Sequence, residues 1–307
     1  MIYNNLIIKN YLTMTKKLTG LGVAMVTPFD SKGNIDYKSV NSLLEHLIMG
    51  GVDYIVLLGT TGESVVLNEE EKNELVRYTV KQNNGRVSIV VGMGGNNTAS
   101  IIKTIKQFDF LGVDAILSVT PYYNKPTQKG LELHYRAIAS ECRLPIILYN
   151  VPGRTGVNMT AETTLKLAHE VPNIVAVKEA SGNLIQQSFI LRDRPKDFLV
   201  ISGDDALVLP QLALGLDGVI SVVGNAFPKE FSKLVKLALV GNFTHSREIH
   251  LKLIEIIETL FMEGNPGGIK AALSILGLIE NNLRLPLAPI GESTYKKLSK
   301  LISNFSV

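Results

Sequence analysis

The stretch IVAVKEASGN, residues 174–183, contains the pattern that decides the fold. It begins with apolar, mostly β-branched residues, which favour a short buried strand. The run then meets a lysine and an acid, and serine, glycine and asparagine follow, which are residues that turn a chain and cap helices. We therefore expect a strand over 174–180 that leads into a helix capped by Asn183 or Ser181.

The same alternation of a short apolar run and an amphipathic segment recurs along the chain, which is typical of βαβ units. Eight runs predict strands: GVAMVTPF (22–29), YIVLLGTTG (54–62), VSIVVGM (87–93), AILSVTPYY (115–123), PIILYN (145–150), IVAVKEA (174–180), FLVISGDD (198–205) and GVISVVGN (218–225). Eight consecutive strand and helix pairs predict an α/β fold, the (β/α)8 TIM barrel. The rival is a doubly wound open sheet, but GMGGNN at 92–97 does not fit the dinucleotide-binding spacing G-x-G-x-x-G.

The segments between the strands carry helix signals. In YKSVNSLLEHLIMGG one face is apolar and Gly50-Gly51 ends the helix, while Asn68 and Thr160 are placed to cap the helices that follow them. The residues of the first helix's apolar face are Val40, Leu43, Leu44 and Leu47.

The predicted organisation has three parts. Residues 1–17 form an N-terminal extension, for which disorder is one interpretation and initiation at Met14 is another. Residues 18–240 form the catalytic barrel. Residues 241–307 form a C-terminal helical region, in which the breaker-rich segments NPGG and LRLPLAPIG separate the helices.

Composition excludes several classes of function. Of the 307 residues 46% are hydrophobic and 19% are charged, and the net charge of +3 is spread along the chain, so a nucleic-acid partner is not expected. No apolar run approaches the roughly 18 to 20 residues of a membrane span. Cys142 is the only cysteine, which excludes an intrachain disulfide and favours a cytoplasmic, reducing location.

Lys178 is the strongest catalytic candidate because active sites of barrels lie at the carboxyl ends of the strands. A lysine that closes a buried run must reach outwards or lie desolvated in the barrel mouth, where burial favours the neutral, nucleophilic amine. Such an amine forms Schiff bases with carbonyl compounds. The alternative is an ion pair with Glu179 or another carboxylate, although adjacent strand residues point to opposite faces.

Other strand ends offer groups that Schiff-base chemistry on a keto acid would need. Tyr149 can relay protons, and Thr60 and Thr61, between two glycines, offer hydroxyls and backbone amides. Arg154 lies in a turn, where its planar fork suits a substrate carboxylate; a surface salt bridge is the alternative. The five histidines lack the spacing of a helical metal pair, and Asp204 is interpreted as a helix cap.

Six motifs along the chain resemble, in order, the signatures of the 4-hydroxy-tetrahydrodipicolinate synthases, also called dihydrodipicolinate synthases, from about Leu21 to the C-terminus. The motifs are GTTGES (59–64), VTPYYNKP (119–126), YNVPGRTG (149–156), VKEASGN (177–183), SGDD (202–205) and GVISVVGN (218–225). The resemblance implies a (β/α)8 barrel with extra helices. It also implies a cytoplasmic lyase, a homotetramer built as a dimer of dimers, which condenses pyruvate with L-aspartate 4-semialdehyde toward diaminopimelate and lysine. No metal or organic cofactor is implied.

The resemblance also implies roles for individual residues. Lys178 would form the Schiff base, and Tyr149 would shuttle protons, linked to Thr61 and to Tyr123, which would reach into a neighbouring subunit's site. The implied substrate-binding residues are Thr60, Arg154, Gly203 and Ile220, with Arg154 on the carboxylate of the semialdehyde.

Rival functions and departures from the family pattern remain. N-acetylneuraminate lyases share the lysine and tyrosine, but they typically have a serine-threonine pair at Thr60-Thr61 and lack an arginine like Arg154. A catalytically silent barrel or a nucleotide-dependent oxidoreductase fits the motifs less well.

Lysine-inhibited relatives often carry histidines and a glutamate where this chain has LNEEEKNEL and Ser100, so we expect weak or absent lysine inhibition, although Asn96 and Tyr122 are retained. NPGGIK (265–270) departs from NP-x-P-x-K, and a flexible glycine is expected there.

Overall fold

The structure, a computed structural model, describes residues 16–305. The predicted extension at 1–17, including Met14, therefore lies outside the described residues except for its last two positions.

The described chain contains a closed parallel barrel in which each strand pairs with its neighbours in sequence order and β1 pairs with β8. The strands are β1 Gly20–Ala24, β2 Tyr54–Leu57, β3 Ser88–Gly92, β4 Ala115–Val119, β5 Ile146–Asn150, β6 Ile174–Glu179, β7 Leu199–Ser202 and β8 Gly218–Ser221. Closure confirms the predicted (β/α)8 fold and excludes the open sheet, because an open sheet would leave two unpaired edges.

Helices follow the strands and continue beyond the barrel. They are α1 Tyr37–Met49, α2 Glu69–Asn83, α3 Thr98–Gln107, α4 Gln128–Glu141, α5 Pro152–Thr155, α6 Ala161–Glu170, α7 Leu184–Asp193, α8 Val208–Leu214, α9 Pro228–Leu239, α10 Phe243–Phe261, α11 Gly267–Ile275 and α12 Glu292–Phe305. The last three form the predicted C-terminal helices. None of the helices in the described residues could span a membrane.

Local helix signals act as the sequence predicts. The four residues of the predicted apolar face are the buried residues of α1. Asn68 caps α2 in a capping box with Glu71, Thr160 caps α6, and Asn183 caps α7 by accepting from the Gln186 amide. These caps satisfy backbone amides that a helix start leaves without partners.

The barrel separates two apolar layers. Side chains such as Leu148 and Val177 face the helices, whereas Val56, Ile147 and Ile201 fill the barrel interior. This alternation along each strand decides which side chains can reach the barrel mouth.

The glycines of the NPGG segment do not provide the flexibility expected from the sequence. Gly267 and Gly268 are buried and begin α11. A Cβ on Gly268 would lie 2.0 Å from the carbonyl oxygen of Leu260, so the missing side chain lets α11 pack against the backbone of α10.

Candidate active site

Lys178 lies near the carboxyl end of β6 and points into the barrel, where its side chain is only 5% exposed. Tyr149 on β5 is its registered neighbour, and Lys178 Nζ lies 4.4 Å from the centroid of the Tyr149 ring. A buried amine therefore lies directly beside a phenol, as a lysine nucleophile with a proton relay requires.

Gly203, just after β7, makes room for that lysine. A Cβ built on Gly203 would lie 3.0 Å from Lys178 Cε and 2.6 Å from Ala180 Cβ. Both separations are shorter than an ordinary carbon–carbon contact of about 3.5–4.0 Å. Lys178 can therefore occupy its observed position because Gly203 has no side chain.

Glu179 does not pair with Lys178, because it points to the opposite face of β6 as expected from strand alternation. Its carboxylate is fully buried and accepts hydrogen bonds from Asn150 Nδ2 at 3.1 Å, Gln186 Nε2 at 2.9 Å and the Ser181 amide at 2.7 Å. These bonds tie β5, β6 and α7 together outside the barrel. The interpretation of Lys178 and Glu179 as an ion pair is wrong.

The loop after β2 carries Thr60 and Thr61 to the same mouth. Thr61 is buried, and its Oγ1 accepts a hydrogen bond of 3.0 Å from Asn265 Nδ2. Thr27 Oγ1 donates to the Gly62 carbonyl at 2.7 Å, and this bond fixes the turn directly after Thr61. Thr60 is exposed to the cavity.

A cavity of about 700 Å³ opens at this end of the barrel, and its walls include Thr60, Tyr149, Arg154 and Asn265. Arg154 is exposed on the short helix α5, directly after β5. Ile220 on β8 is buried in the barrel interior. The structure thus brings threonine, tyrosine and arginine to one cavity, and Tyr149 connects this cavity to Lys178.

Tyr123 differs from the other predicted site residues in its exposure and in its backbone conformation. Its side chain is 91% exposed, and its backbone φ is +69°, in the left-handed region that bulky residues rarely adopt. The neighbouring Tyr122 lines the cavity of its own chain.

Asp204 and Asp205 have structural partners. Asp204 Oδ1 accepts from the amides of Ala206 and Leu207 in the turn before α8, whose N-cap is Leu207 without a side-chain hydrogen bond, so the interpretation of Asp204 as a helix cap is wrong. Asp205 is buried and accepts from two amides that follow β8, and burial raises its pKa to about 6.

Sequence reasoning missed two partners of the threonine loop. One is Asn265, and the other is Lys270, which forms a fully buried ion pair with Glu63. Burial lowers the pKa of Lys270 to about 8, although the Glu63 carboxylate opposes that shift. The sequence shows the glutamate of GTTGES and a lysine in the first turns of a C-terminal helix. No local sequence pattern predicts that two residues so far apart in sequence form an ion pair.

Comparison with known proteins agrees with this geometry. The model of the dihydrodipicolinate synthetase family matches residues 17–305. The chain is 51% identical to the 4-hydroxy-tetrahydrodipicolinate synthase of Parabacteroides distasonis over 290 residues, which cover 94% of this chain and 98% of that protein. The crystal structure of dihydrodipicolinate synthase from Aquifex aeolicus is similar, with a TM-score of 0.91, 41% identity and coverage of 94% of this chain and 98% of that one. The synthase from Cyanidioschyzon merolae, solved with lysine bound, has a TM-score of 0.91 and 42% identity, with coverage of 94% and 99%.

Proposed function

Because the chain belongs to the dihydrodipicolinate synthetase family, we propose that Lys178 carries out the reaction of that family at the barrel mouth. The chain is a lyase that condenses pyruvate with L-aspartate 4-semialdehyde to 4-hydroxy-tetrahydrodipicolinate, on the diaminopimelate route to lysine. The observation that supports the assignment of Lys178 most strongly is its buried amine beside the Tyr149 ring.

Lys178 acts as the nucleophile. Its amine adds to the keto carbon of pyruvate and water leaves, which gives an imine that withdraws electrons from the neighbouring methyl group. Loss of a methyl proton gives an enamine, whose carbon forms the new bond to the aldehyde carbon of the semialdehyde while the aldehyde C=O double bond opens and its oxygen takes a proton to become the hydroxyl. The amino group of the added fragment then attacks the imine carbon, closes the ring and releases the Lys178 amine.

Tyr149 and Thr61 move the protons that these steps require. The Tyr149 ring lies beside the Lys178 amine, so we assign its phenol to the protonation of the oxygen that leaves as water. Thr61 Oγ1 already accepts from Asn265, which leaves its own hydrogen available for donation. A relay from Thr61 to Tyr149 would keep protons inside a buried site.

Arg154 and Thr60 bind substrate. The exposed guanidinium of Arg154 on the cavity wall is suited to the carboxylate of the incoming semialdehyde, which it can hold through two parallel hydrogen bonds. Thr60, with Gly203 and Ile220, contacts pyruvate beside Lys178. This division assigns the first substrate to the buried end of the cavity and the second to its rim.

Tyr123 completes the relay of a neighbouring subunit, in a homotetramer built from two dimers. Its 91% exposure and its positive φ support this role, because the side chain is accessible to a second subunit and strained backbone of this kind is found mostly at functional sites. Mixing Lys178→Ala and Tyr123→Phe subunits should restore activity. In a mixed dimer, one of the two sites has an intact Lys178 from one subunit and an intact Tyr123 from the other. A fully active monomer would contradict the assignment.

Lysine inhibition is expected to be weak or absent. Glu69 and Lys72 line the outer part of the cavity and form an ion pair of 2.8 Å, and Ser100 stands nearby without a carboxylate. A ligand's ammonium group would therefore meet a carboxylate that is already neutralised. Half-inhibition at submillimolar lysine would overturn this expectation.

The test of the function is a comparison of two aldehyde partners. Purified protein is mixed with pyruvate and either L-aspartate 4-semialdehyde or N-acetylmannosamine, and products are identified by mass spectrometry. A cyclic dicarboxylate from the semialdehyde alone is expected, whereas product from the amino sugar alone would identify the lyase branch.

We further propose a cytoplasmic location, which the single, buried Cys142 supports and cell fractionation would test.

A further inference from the structure

Asn265 connects the C-terminal helices to the threonine loop. It precedes α11 and lies 204 residues from Thr61 in sequence, yet its Nδ2 donates to Thr61 Oγ1 at 3.0 Å. Its Oδ1 is buried and has no hydrogen-bond partner among residues 16–305. The side chain also forms part of the cavity wall, so it borders the reacting groups without being one of the predicted catalytic residues.

The direction of this hydrogen bond constrains the Thr61 hydroxyl. A threonine hydroxyl has one proton to donate and two lone pairs that accept. An amide NH2 group can only donate, so it occupies a lone pair of Thr61 and forces the hydroxyl proton to point elsewhere. A hydrogen-bond acceptor at the position of Asn265 Nδ2 would instead bind the Thr61 proton and direct it away from the cavity.

A buried ion pair holds the two segments in register. Glu63, two residues after Thr61, pairs with Lys270 of α11, and both side chains are fully buried. Lys270 Nζ also donates to the Asn282 carbonyl at 2.9 Å, and the Arg284 amide donates to Glu63 Oε2 at 3.1 Å. The threonine loop and α11 are therefore fixed to each other next to the Asn265 contact.

We propose that Asn265 is a positioning residue, whose amide orients the Thr61 hydroxyl so that its proton is directed to Tyr149. Asn265 does not touch substrate in this role, because it acts only through Thr61. The inference rests on the proposed function, in which Thr61 and Tyr149 form the proton relay.

A double-mutant cycle tests whether Asn265 acts through Thr61. Asn265→Ala alone should lower kcat by about 10–100-fold, a part of the 10²–10⁴-fold that a positioned acid-base group supplies. In a Thr61→Val background the same change should lower kcat by about twofold at most, because the oriented hydroxyl is already gone. Losses that multiply in the double variant would overturn the proposal.

Asn265→Asp tests the direction of the hydrogen bond in a side chain of the same shape. At neutral pH its carboxylate accepts the Thr61 proton, so kcat should fall at least as far as in Asn265→Ala. As pH falls through the aspartate pKa, the protonated carboxyl can donate, and kcat relative to wild type should rise. A ratio to wild type that stays constant with pH, or full activity at neutral pH, would contradict the proposal.

Two controls separate the possible failures. The melting temperature of each variant, and the final extent of pyruvate trapping on Lys178 by borohydride after long incubation, should stay close to wild type, because the fold and the Lys178 amine are unchanged; only the rate of trapping should fall together with kcat. If wild-type protein fails to condense pyruvate with the semialdehyde, the proposed function fails. If it condenses them and the cycle is additive, only the role of Asn265 fails.

Discussion

Replacement of Gly203 by alanine should slow the enzyme by about 10–100-fold while leaving it folded. The added Cβ would lie 3.0 Å from Lys178 Cε and 2.6 Å from Ala180 Cβ. The backbone at Gly203 needs no left-handed φ, so the effect of the methyl group is purely steric. Lys178 must therefore move, and Nζ is the atom next to the displaced carbon.

The size of the effect follows from these distances. To reach a favourable carbon–carbon separation of about 3.5–4.0 Å, Lys178 Cε must retreat by about 0.5–1 Å. A misplacement of about 1 Å in a reacting group costs about 10²-fold in rate, so kcat/KM should fall by about 10–100-fold. Overpacking against Ala180 should lower the free energy of unfolding by about 1–3 kcal/mol.

The assay measures condensation under saturating semialdehyde, together with the rate of borohydride-dependent labelling by pyruvate. Gly95→Ala is the matched control, since its Cβ would make only ordinary contacts of 3.7 and 3.8 Å with Ile101. Adding Ala180→Gly to Gly203→Ala should recover stability but not activity, because it relieves only the contact with Ala180. Wild-type labelling and turnover in Gly203→Ala would refute the packing of Lys178 against Gly203.

Three further changes test other parts of the molecule. Glu63→Gln leaves the Lys270 ammonium buried and unpaired, so denaturant titration should show a loss of about 3–5 kcal/mol; a loss under about 0.5 kcal/mol would contradict the buried pair. Hydrogen bonds, first from Lys166, lower the pKa of Glu132 from its ordinary 4.5 to about 2, so its stabilisation is complete above pH 4.5 and is lost as pH falls toward 2. Wild type should therefore lose more stability than Glu132→Gln across that window, and equal losses would argue against the network. Arg154→Ala should raise the KM for the semialdehyde by about 10–100-fold, the worth of a charged hydrogen bond, without changing pyruvate labelling; slower labelling would contradict its assignment to the second substrate.

Local sequence patterns predicted the barrel and the position of its lysine. Alternation along β6 places Lys178 inside and Glu179 outside, because strand side chains alternate whatever the rest of the fold does. Helix caps such as Asn183 were equally readable, since a cap depends on residues only three positions apart.

Contacts between distant segments could not be predicted in this way. Asn265 reaches Thr61 only because α10 and α11 return to the barrel mouth, and no local pattern encodes that path. The glycine at 268 looked like a source of flexibility, whereas the structure places it in close contact with the Leu260 backbone. Both cases depend on which helices pack together, which periodicity within one helix does not specify.

The most direct test of the central claim is identification of the residue that captures pyruvate. Protein incubated with pyruvate is reduced with borohydride, digested and analysed by peptide mass spectrometry, with Lys178→Arg as the control. The expected result is one modified lysine, Lys178, and no labelling or turnover in the variant, since a guanidinium cannot form the imine. Labelling at another lysine, or turnover retained by Lys178→Arg, would contradict the assignment of Lys178 as the Schiff-base nucleophile.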